Sequence, residues 1–168
     1  MGENRKIILI CGPESSGKST SALRLHKRLG GFLLPDYSRF YLAANGKNYT
    51  LSDIHLMANI HKNQLESIRG SLILLDSYLL NYKIWIQEKF DTSSEKISQE
   101  LKHFKPDLCL LMKPDIPWTY DPLRENQYDR HVLFDMYKNE LDNYNWPVKT
   151  VQGSYDLRNE LIDELKIY

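Results

Sequence analysis

The sequence predicts one α/β domain in which helices cover both faces of a parallel sheet. Short apolar runs without polar alternation recur along the chain, which is typical of strands that are buried on both faces. Segments of helical periodicity lie between these runs, and strands that alternate with helices indicate a parallel sheet. The 168 residues suit a single domain. Because no repeat or linker divides them, the predicted domain covers residues 1–168.

Five apolar segments are the predicted strands of this sheet. Four of them are clear, and each ends at a polar or turn residue: 6–11, 72–76, 108–112 and 148–152. The fifth, residues 31–35, is weaker and directly precedes Asp36. Ligands of open parallel sheets bind beyond the carboxyl ends of the strands. The residues that follow these segments are therefore the first candidates for a functional site.

Helical periodicity fills the intervals between the strands. In residues 18–29, Ala22, Leu25 and Leu29 share one face, and Ser52 is the predicted N-cap of a helix that ends at residue 68. The remaining predicted helices cover residues 80–90, 95–104, 127–144 and 157–165. Residues 113–130 contain three prolines and are the least regular segment, so we expect them to form an excursion from the domain.

Charge and hydropathy restrict the classes of partner. Lys and Arg together number 22, as do Asp and Glu, and this neutral balance argues against a general nucleic-acid binder. The apolar runs are far shorter than the ~20 residues of a membrane span. Cys11 and Cys109 lie inside apolar runs, which predicts buried reduced thiols and, by default, a cytoplasmic location. The expected partner is a small molecule, and nothing indicates an oligomeric state.

The segment after the first predicted strand is a phosphate-binding loop. Its residues fit G-x-x-x-x-G-K-[ST] without a mismatch, between a predicted strand and a predicted helix. The glycines allow backbone N–H groups to approach phosphate oxygens, Lys18 reaches the β- and γ-phosphates, and Ser19 completes a Mg²⁺ shell. The predicted nucleotide-binding residues are Gly12, Pro13, Glu14, Ser15, Ser16, Gly17, Lys18, Ser19 and Thr20.

Two aspartates at predicted strand ends are candidates for the chemistry beside that loop. Asp76 ends the apolar run 72–76, where an aspartate can hold Mg²⁺ or its water shell, although it can also cap the following helix. Asp36 follows the weak strand, which places it near an acceptor substrate. There it would act as a general base or accept a ribose hydroxyl, and the alternative is a solvated loop carboxylate.

Further residues favour a small-molecule kinase among the proteins that use such a loop. No Asp precedes a Gly by three positions, so the D-x-x-G switch of a GTPase is absent from the sequence. A kinase needs a lid that excludes water and cations that stabilise the transferred phosphoryl group, and residues 113–130 offer Arg124 and Arg130. Trp118 and Tyr37 would sandwich a flat base. The alternatives are hydrophobic packing for Trp118 and a helix-surface ion pair for Arg130.

Five motifs, taken together, resemble a known family. In order they are GPESSGKST at 12–20, PDYSRFY at 35–41, LDS at 75–77, DLCLLMKPDIPWTYDPLR at 107–124 and GSYDLR at 153–158. They are similar to the ribosylnicotinamide kinase domains of the NadR family and their stand-alone AAA-type relatives. The resemblance implies a three-layer P-loop NTPase fold with a five-stranded parallel sheet in kinase-like order and a lid at about 113–130. It also implies ATP and Mg²⁺ as cofactors, and phosphorylation of nicotinamide riboside to nicotinamide mononucleotide.

The resemblance also implies roles for individual residues. Asp36 would meet the ribose at the position of the family's usual Glu, with Tyr37 and Trp118 on either side of the nicotinamide ring. The implied substrate-binding residues are Asp36, Tyr37, Arg39, Trp118 and Asp121. The implied catalytic residues are Lys18, Asp36, Arg124 and Arg130, and the implied metal ligands are Ser19 and Asp76. The implied adenine site, after the last strand, consists of Gly153, Tyr155 and Arg158.

The chain departs from the family pattern at two positions. Tyr78 stands where the family often carries a second acidic residue, and Pro122 stands where a glycine is frequent. The H-x-G-H signature of the adenylyltransferase that NadR joins to this domain is absent from the sequence, so we do not expect that activity. The alternative function is that of a nucleotide-binding regulatory or accessory ATPase of the same fold, without riboside kinase activity.

Overall fold

A computed structural model describes residues 5–166, so the outermost residues of the predicted domain lie outside the described part of the chain. Five strands form one sheet in which every neighbouring pair is parallel. They are β1 (Lys6–Cys11), β2 (Phe32–Leu34), β3 (Leu72–Asp76), β4 (Leu108–Met112) and β5 (Val148–Val151). Their order is β2-β3-β1-β4-β5. The predicted five-stranded parallel sheet is confirmed, and the central strand β1 ends at the phosphate-binding loop.

Helices cover both faces of the sheet and complete three layers. They are α1 (Lys18–Leu29), α2 (Tyr37–Asn45), α3 (Leu51–Ser67), α4 (Leu79–Phe90), α5 (Glu95–His103), α6 (Arg130–Asn143) and α7 (Tyr155–Asp163). Alternate residues of β1 face opposite layers: Ile8 and Ile10 pack with residues of α1 and α7, whereas Leu9 and Cys11 pack with residues of α3 to α6. These β1 residues are almost completely buried, which explains why the strand reads as a continuous apolar run.

The structure corrects several predicted helix boundaries and adds one helix. Helix α2 was not predicted, because few of its residues are buried and its start depends on Asp36 as N-cap. Helix α3 begins after Thr50, which forms a capping box with Asp53, and not after Ser52. Helix α6 begins three residues later than predicted, and α7 begins two residues earlier, after the N-cap Ser154.

Both cysteines of the chain lie in the protein interior. Cys11 and Cys109 are buried free thiols, and burial raises the pKa of Cys11 to about 12, so these side chains pack as small apolar residues. Within residues 5–166, none of the helices has both the length and the apolar character needed to cross a bilayer.

His61 is a buried polar residue within the larger core cluster. Its side chain is fully buried, its Nδ1 lies 3.2 Å from the Tyr82 hydroxyl, and its ring packs edge-on against Tyr78 and Tyr82. Its Nε2 has no hydrogen-bond partner in the described part of the chain. Burial lowers the pKa of His61 to about 4, so the folded protein holds this imidazole neutral.

We expect the free energy of unfolding to fall as the pH drops from about 6.5 towards 4. In this range the unfolded chain binds a proton at His61, whereas the folded protein does not. The loss over this range from His61 alone is of the order of 3 kcal/mol. His61→Phe should flatten the pH dependence of the urea midpoint. His131→Phe, at an exposed position of α6, is the matched control. Parallel pH profiles for the wild type and His61→Phe would contradict this account.

Candidate functional site

The phosphate-binding loop runs from the end of β1 to the start of α1, and two glycines determine its path. Gly12 has a φ of 132°, and a Cβ there would lie 2.6 Å from the backbone oxygen of Met112 at the end of β4. Gly17 has a φ of 84° and forms the N-cap of α1. The loop therefore packs closely against β4 and turns directly into α1, whose first N–H groups and dipole favour an anion.

Lys18 lies at the start of α1 and folds back over the loop. Its ammonium donates hydrogen bonds to the backbone oxygens of Gly12 at 2.8 Å and Pro13 at 2.7 Å. Burial lowers the pKa of Lys18, while the carboxylates of Asp76, Asp36 and Glu14 oppose that shift. The structure thus places the predicted phosphate-binding cation inside the loop and in the field of three carboxylates.

Asp76 ends β3 beside Lys18, with little exposure to solvent. Burial raises the pKa of this carboxyl, while the nearby Ser19 hydroxyl and the charge of Lys18 lower it. Its Oδ1 is buried without a hydrogen-bond partner among the described residues. Asp76 does not cap the following helix, because α4 has Tyr78 at its N-cap and no side-chain cap bond. The Tyr78 side chain is itself buried in the core, against His61 and Phe104.

This corner of the site has the donors that a magnesium ion requires. An unpartnered carboxylate oxygen next to a serine hydroxyl is the oxygen chemistry that Mg²⁺ prefers. Residues 5–166 contain no group of three or more His, Cys, Asp or Glu side chains arranged to hold a metal. Ser19 and Asp76 therefore fit a magnesium ion that takes its other ligands from water and nucleotide phosphates, as Mg²⁺ in kinases does.

Asp36 is the N-cap of α2 and lines a cleft that opens beside Lys18. Its Oδ1 accepts hydrogen bonds from the backbone N–H of Ser38 at 3.0 Å and from the Ser38 hydroxyl at 2.6 Å. These bonds hold the carboxylate in one orientation at the start of a helix. Asp36 is therefore fixed at the edge of the cleft, unlike the solvated loop carboxylate of the alternative interpretation.

The cleft encloses about 170 Å³ between the phosphate-binding loop, α2, α4, α6 and the segment 113–130. Its wall opposite the loop is formed by side chains of α4 and α6: Asn81, Ile84, Trp85, Glu88, Leu133 and Tyr137. Trp85 is the residue that the sequence interpretation missed. Asn81, Trp85 and Glu88 recur at helical spacing on one face of α4, but this spacing alone does not show that the face meets a cleft.

The predicted sandwich of Tyr37 and Trp118 is not formed in the cleft. The Trp118 ring lies under two guanidinium groups, 5.8 Å from that of Arg124 and 5.7 Å from that of Arg130. Tyr37, the first residue of α2, packs against the larger core cluster. Neither side chain lines the cleft, whose aromatic lining residues are Trp85 and Tyr137. Trp118 instead packs against the two arginines.

Residues 113–129, which are the greater part of the predicted lid, lie against the phosphate-binding loop. Arg124 Nη1 lies 3.3 Å from the Ser15 hydroxyl, and Arg130 Nη1 donates to the backbone oxygen of Ser15 at 3.2 Å. Arg130, the first residue of α6, forms no ion pair with the described residues, which excludes the surface-pair alternative. Burial and the neighbouring Arg124 lower the pKa of Arg130, although a guanidinium remains charged. The two predicted catalytic arginines therefore converge on the loop.

Arg39 and Asp121 connect α2 to the lid. Arg39 lines the cleft and donates to Asp121 Oδ2 at 2.5 Å, while Asp121 Oδ1 accepts the backbone N–H of Leu123 at 2.9 Å. The hydrogen bond from Arg39 is the main reason that the pKa of Asp121 is lowered. Asp121 itself does not line the cleft. It connects the lid to Arg39 of α2, beside the predicted acceptor site.

Arg158, a residue of the predicted adenine site, is hydrogen-bonded to the phosphate-binding loop. Its guanidinium is 3% exposed and donates to the backbone oxygens of Ser16 at 2.8 Å, Gly153 at 2.8 Å and Lys113 at 2.7 Å, and it pairs with Asp115. These bonds tie the phosphate-binding loop to the ends of β4 and β5. The structure therefore makes Arg158 a support of the loop, whereas Tyr155 is half exposed at the start of α7.

We expect Arg158→Met to destabilise the protein by about 3 kcal/mol, because it leaves three carbonyl groups and the Asp115 carboxylate without their donor. Urea unfolding measures this loss. Arg24→Met is the control, since Arg24 forms an exposed ion pair with Asp163 of α7, and its loss should lower the urea midpoint far less than Arg158→Met does. Equal losses in the two variants would contradict a supporting role for Arg158.

A family model described as an AAA domain matches residues 7–158. The fold is shared with the solved structure of a NadR protein in complex with NR, with a TM-score of 0.78 and 17% sequence identity over 98% of this chain. That alignment covers 52% of the NadR chain, so this chain spans about half of its length. No curated protein sequence matches the chain.

Two further solved structures share the fold over nearly their whole length. Deoxyadenosine kinase from M. mycoides has a TM-score of 0.64 and 16% identity, over 93% of this chain and 96% of that one. Thymidylate kinase from Ehrlichia chaffeensis has a TM-score of 0.67 and 13% identity, over 97% of this chain and 100% of that one. At such identities the likeness establishes the three-layer fold that P-loop kinases share.

Proposed function

The chain belongs to the AAA domain family, and from that membership and the geometry of the cleft we propose that it is a P-loop kinase of nucleoside-like small molecules. The most specific form of the proposal is transfer of a phosphoryl group from ATP to nicotinamide riboside. One observation carries it: a fixed carboxylate, Asp36, lines the same cleft as Lys18, and the lid brings Arg124 to that cleft. The acceptor, the phosphates of the donor and the Arg124 guanidinium of the lid would thus lie in one enclosed cleft.

In the proposed reaction, Asp36 accepts the proton of the 5′-hydroxyl as that oxygen forms a bond to the γ-phosphorus of ATP. The bond from this phosphorus to the bridging oxygen breaks, and ADP leaves with the electron pair. Lys18, Arg124 and Arg130 stabilise the negative charge on the transferred group. A bound Mg²⁺, held through Ser19 and Asp76, would neutralise charge on the phosphates. The lid keeps water away from the reacting phosphorus.

The cleft chemistry favours an acceptor with a flat and positively charged ring. Trp85 supplies an aromatic wall, and Glu14, Asp36 and Glu88 add three carboxylates to the lining. A cationic ring such as the pyridinium of nicotinamide riboside is attracted by both an aromatic face and these carboxylates. A solved neighbour of this fold, NadR, was obtained in complex with NR, which agrees with that choice.

The proposal is tested by incubating the protein with ATP, Mg²⁺ and single nucleosides, and by following ADP release and the mass of the product. We expect ADP release that depends on nicotinamide riboside, with one phosphorylated product per ADP. A preference for a neutral nucleoside would be consistent with a kinase but would contradict the proposal that its acceptor is cationic. ADP release that is independent of every nucleoside would overturn the kinase and support an accessory ATPase.

A further inference from the structure

Tyr49 lies between α2 and α3, outside every motif that the sequence singled out. Its ring packs edge-on against Trp85 with the ring centroids 4.7 Å apart. Its hydroxyl lies between two partners: Trp85 Nε1 donates to it at 2.9 Å, and it donates to Glu125 Oε2 at 2.8 Å. Tyr49 therefore joins the aromatic wall of the cleft to a residue of the lid.

The chemistry of these groups allows only one direction for this chain of hydrogen bonds. An indole N–H can only donate and an ionised carboxylate can only accept, so the tyrosine hydroxyl must accept from Trp85 and donate to Glu125. Burial raises the pKa of Tyr49 far above neutral pH, which keeps the hydroxyl protonated. Lys89 Nζ lies 3.1 Å from the same Glu125 oxygen and forms an ion pair with it.

Glu125 belongs to the part of the lid that is attached to the phosphate-binding loop. The backbone N–H groups of Glu125 and Asn126 both donate to Glu14 Oε2 at 2.9 Å. Arg124, the preceding residue, reaches the Ser15 hydroxyl. The same short backbone segment, residues 124–126, therefore positions both the Glu125 side chain and the Arg124 guanidinium.

We propose that Tyr49 is a positioning residue that couples the aromatic wall of the acceptor cleft to the lid, and so holds Arg124 at the phosphate-binding loop. The inference rests on the proposed function, because it assigns Trp85 to the acceptor and Arg124 to the transferred group. An acceptor packed on Trp85 would stabilise the Trp85–Tyr49–Glu125 chain, and the lid would then favour transfer over hydrolysis of ATP. The lid thereby responds to the acceptor through a residue that need not touch either substrate.

Tyr49→Phe is the direct test, because it keeps the ring and its packing and removes only the hydroxyl. We expect kcat for phosphoryl transfer to fall about 10-fold, the size of effect of one hydrogen bond to a charged group, with the acceptor KM changed less than about 3-fold. The share of ATP that is hydrolysed without transfer should rise. Glu125→Ala should have the same effects, and the double variant should add little to either single one.

Tyr41→Phe is the matched control, since it removes a tyrosine hydroxyl that donates to Asp53 at 2.6 Å within the α2–α3 region and forms no hydrogen bond with residues 113–129. It should change neither kcat nor the share of hydrolysis by more than about 2-fold. A Tyr49→Phe enzyme that behaves like Tyr41→Phe, or strictly additive effects of Tyr49→Phe and Glu125→Ala, would overturn the coupling.

Hydrogen exchange of the free protein separates this inference from the proposed function. The amide protons of Glu125 and Asn126 are held by Glu14 in the closed lid, so Tyr49→Phe should make them exchange at least about 5-fold faster, while Tyr41→Phe should not. If the wild type phosphorylates no acceptor, the proposed function fails, and the exchange experiment still decides whether Tyr49 positions the lid. Unchanged exchange in Tyr49→Phe would refute that role.

Discussion

Lys18→Met is expected to lower phosphoryl transfer at least about 1,000-fold, because it removes the only ammonium inside the described phosphate-binding loop. The charge that develops on the transferred group would then lack its closest fixed cation. The burial that lowers the pKa of Lys18 also places its charge in a low-dielectric site, where a charge acts more strongly than in water. Acceptor-dependent ADP release under saturating substrates measures the effect.

The matched control for this variant is Lys27→Met on the same helix. Lys27 is exposed near the end of α1, so its loss should leave kcat within about 2-fold of the wild type. Thermal melting of both variants shows whether the loop still folds. If Lys18→Met folds and keeps more than a tenth of the wild-type turnover, this loop is not the phosphate site. Both the kinase proposal and the accessory-ATPase alternative would then be refuted.

The sheet and the loop were predictable because their signals are local. Strand β1 is buried on both faces and reads as an apolar run, and the bounds of α1 match the prediction because Gly17 and Gly30 mark its ends. Edge strand β2 has only three residues, and Phe32 is 46% exposed, so its signal was weak. Helix α2 depends on the cap by Asp36 and on contacts with α3. Hydrophobic periodicity in the sequence does not reveal either of them.

The positions of the residues on the loop side of the cleft were predictable, whereas those on its α4 side were not. The sequence alone places Lys18 and Ser19 in one loop, and parallel strand ends bring Asp76 to the same edge of the sheet. Trp85 was missed because the face of α4 that meets the cleft is decided by how α4 packs on α3, α5 and α6. The packing of Trp118 against Arg124 and Arg130 was not predictable, because only the path of residues 113–129 brings these arginines over its ring.

The neutral composition conceals a strongly charged cleft. Lys18, Arg39 and Arg124 line it together with Glu14, Asp36 and Glu88, so cations and carboxylates meet in one cavity while the chain as a whole carries no net charge. Such an arrangement suits a reaction that joins an anionic donor to a cationic acceptor. It also reconciles a neutral composition, which argues against long nucleic acids as partners, with the proposed binding of a triphosphate.

Asp36→Asn is expected to lower kcat by about 100- to 10,000-fold, because an amide cannot take the proton of the acceptor hydroxyl. The substitution is informative because asparagine caps a helix about as well as aspartate. Its side-chain oxygen can still accept the two hydrogen bonds from Ser38, so α2 should keep its start and the melting temperature should change little. Steady-state kinetics and thermal melting of the same preparation measure both effects.

Comparison with Asp36→Ala separates the chemical role of this carboxylate from its structural one. Alanine removes the cap as well as the base, so it should cost about 1 kcal/mol of stability in addition to the loss of turnover. If Asp36 serves only as a cap, Asp36→Asn will keep a kcat within about 3-fold of the wild type, and activity will follow stability across both variants. If it serves as the base, both variants will be almost inactive although only the alanine variant melts earlier. Asp53→Asn, a substitution of the same kind within the capping box of α3, should alter neither property to a comparable extent.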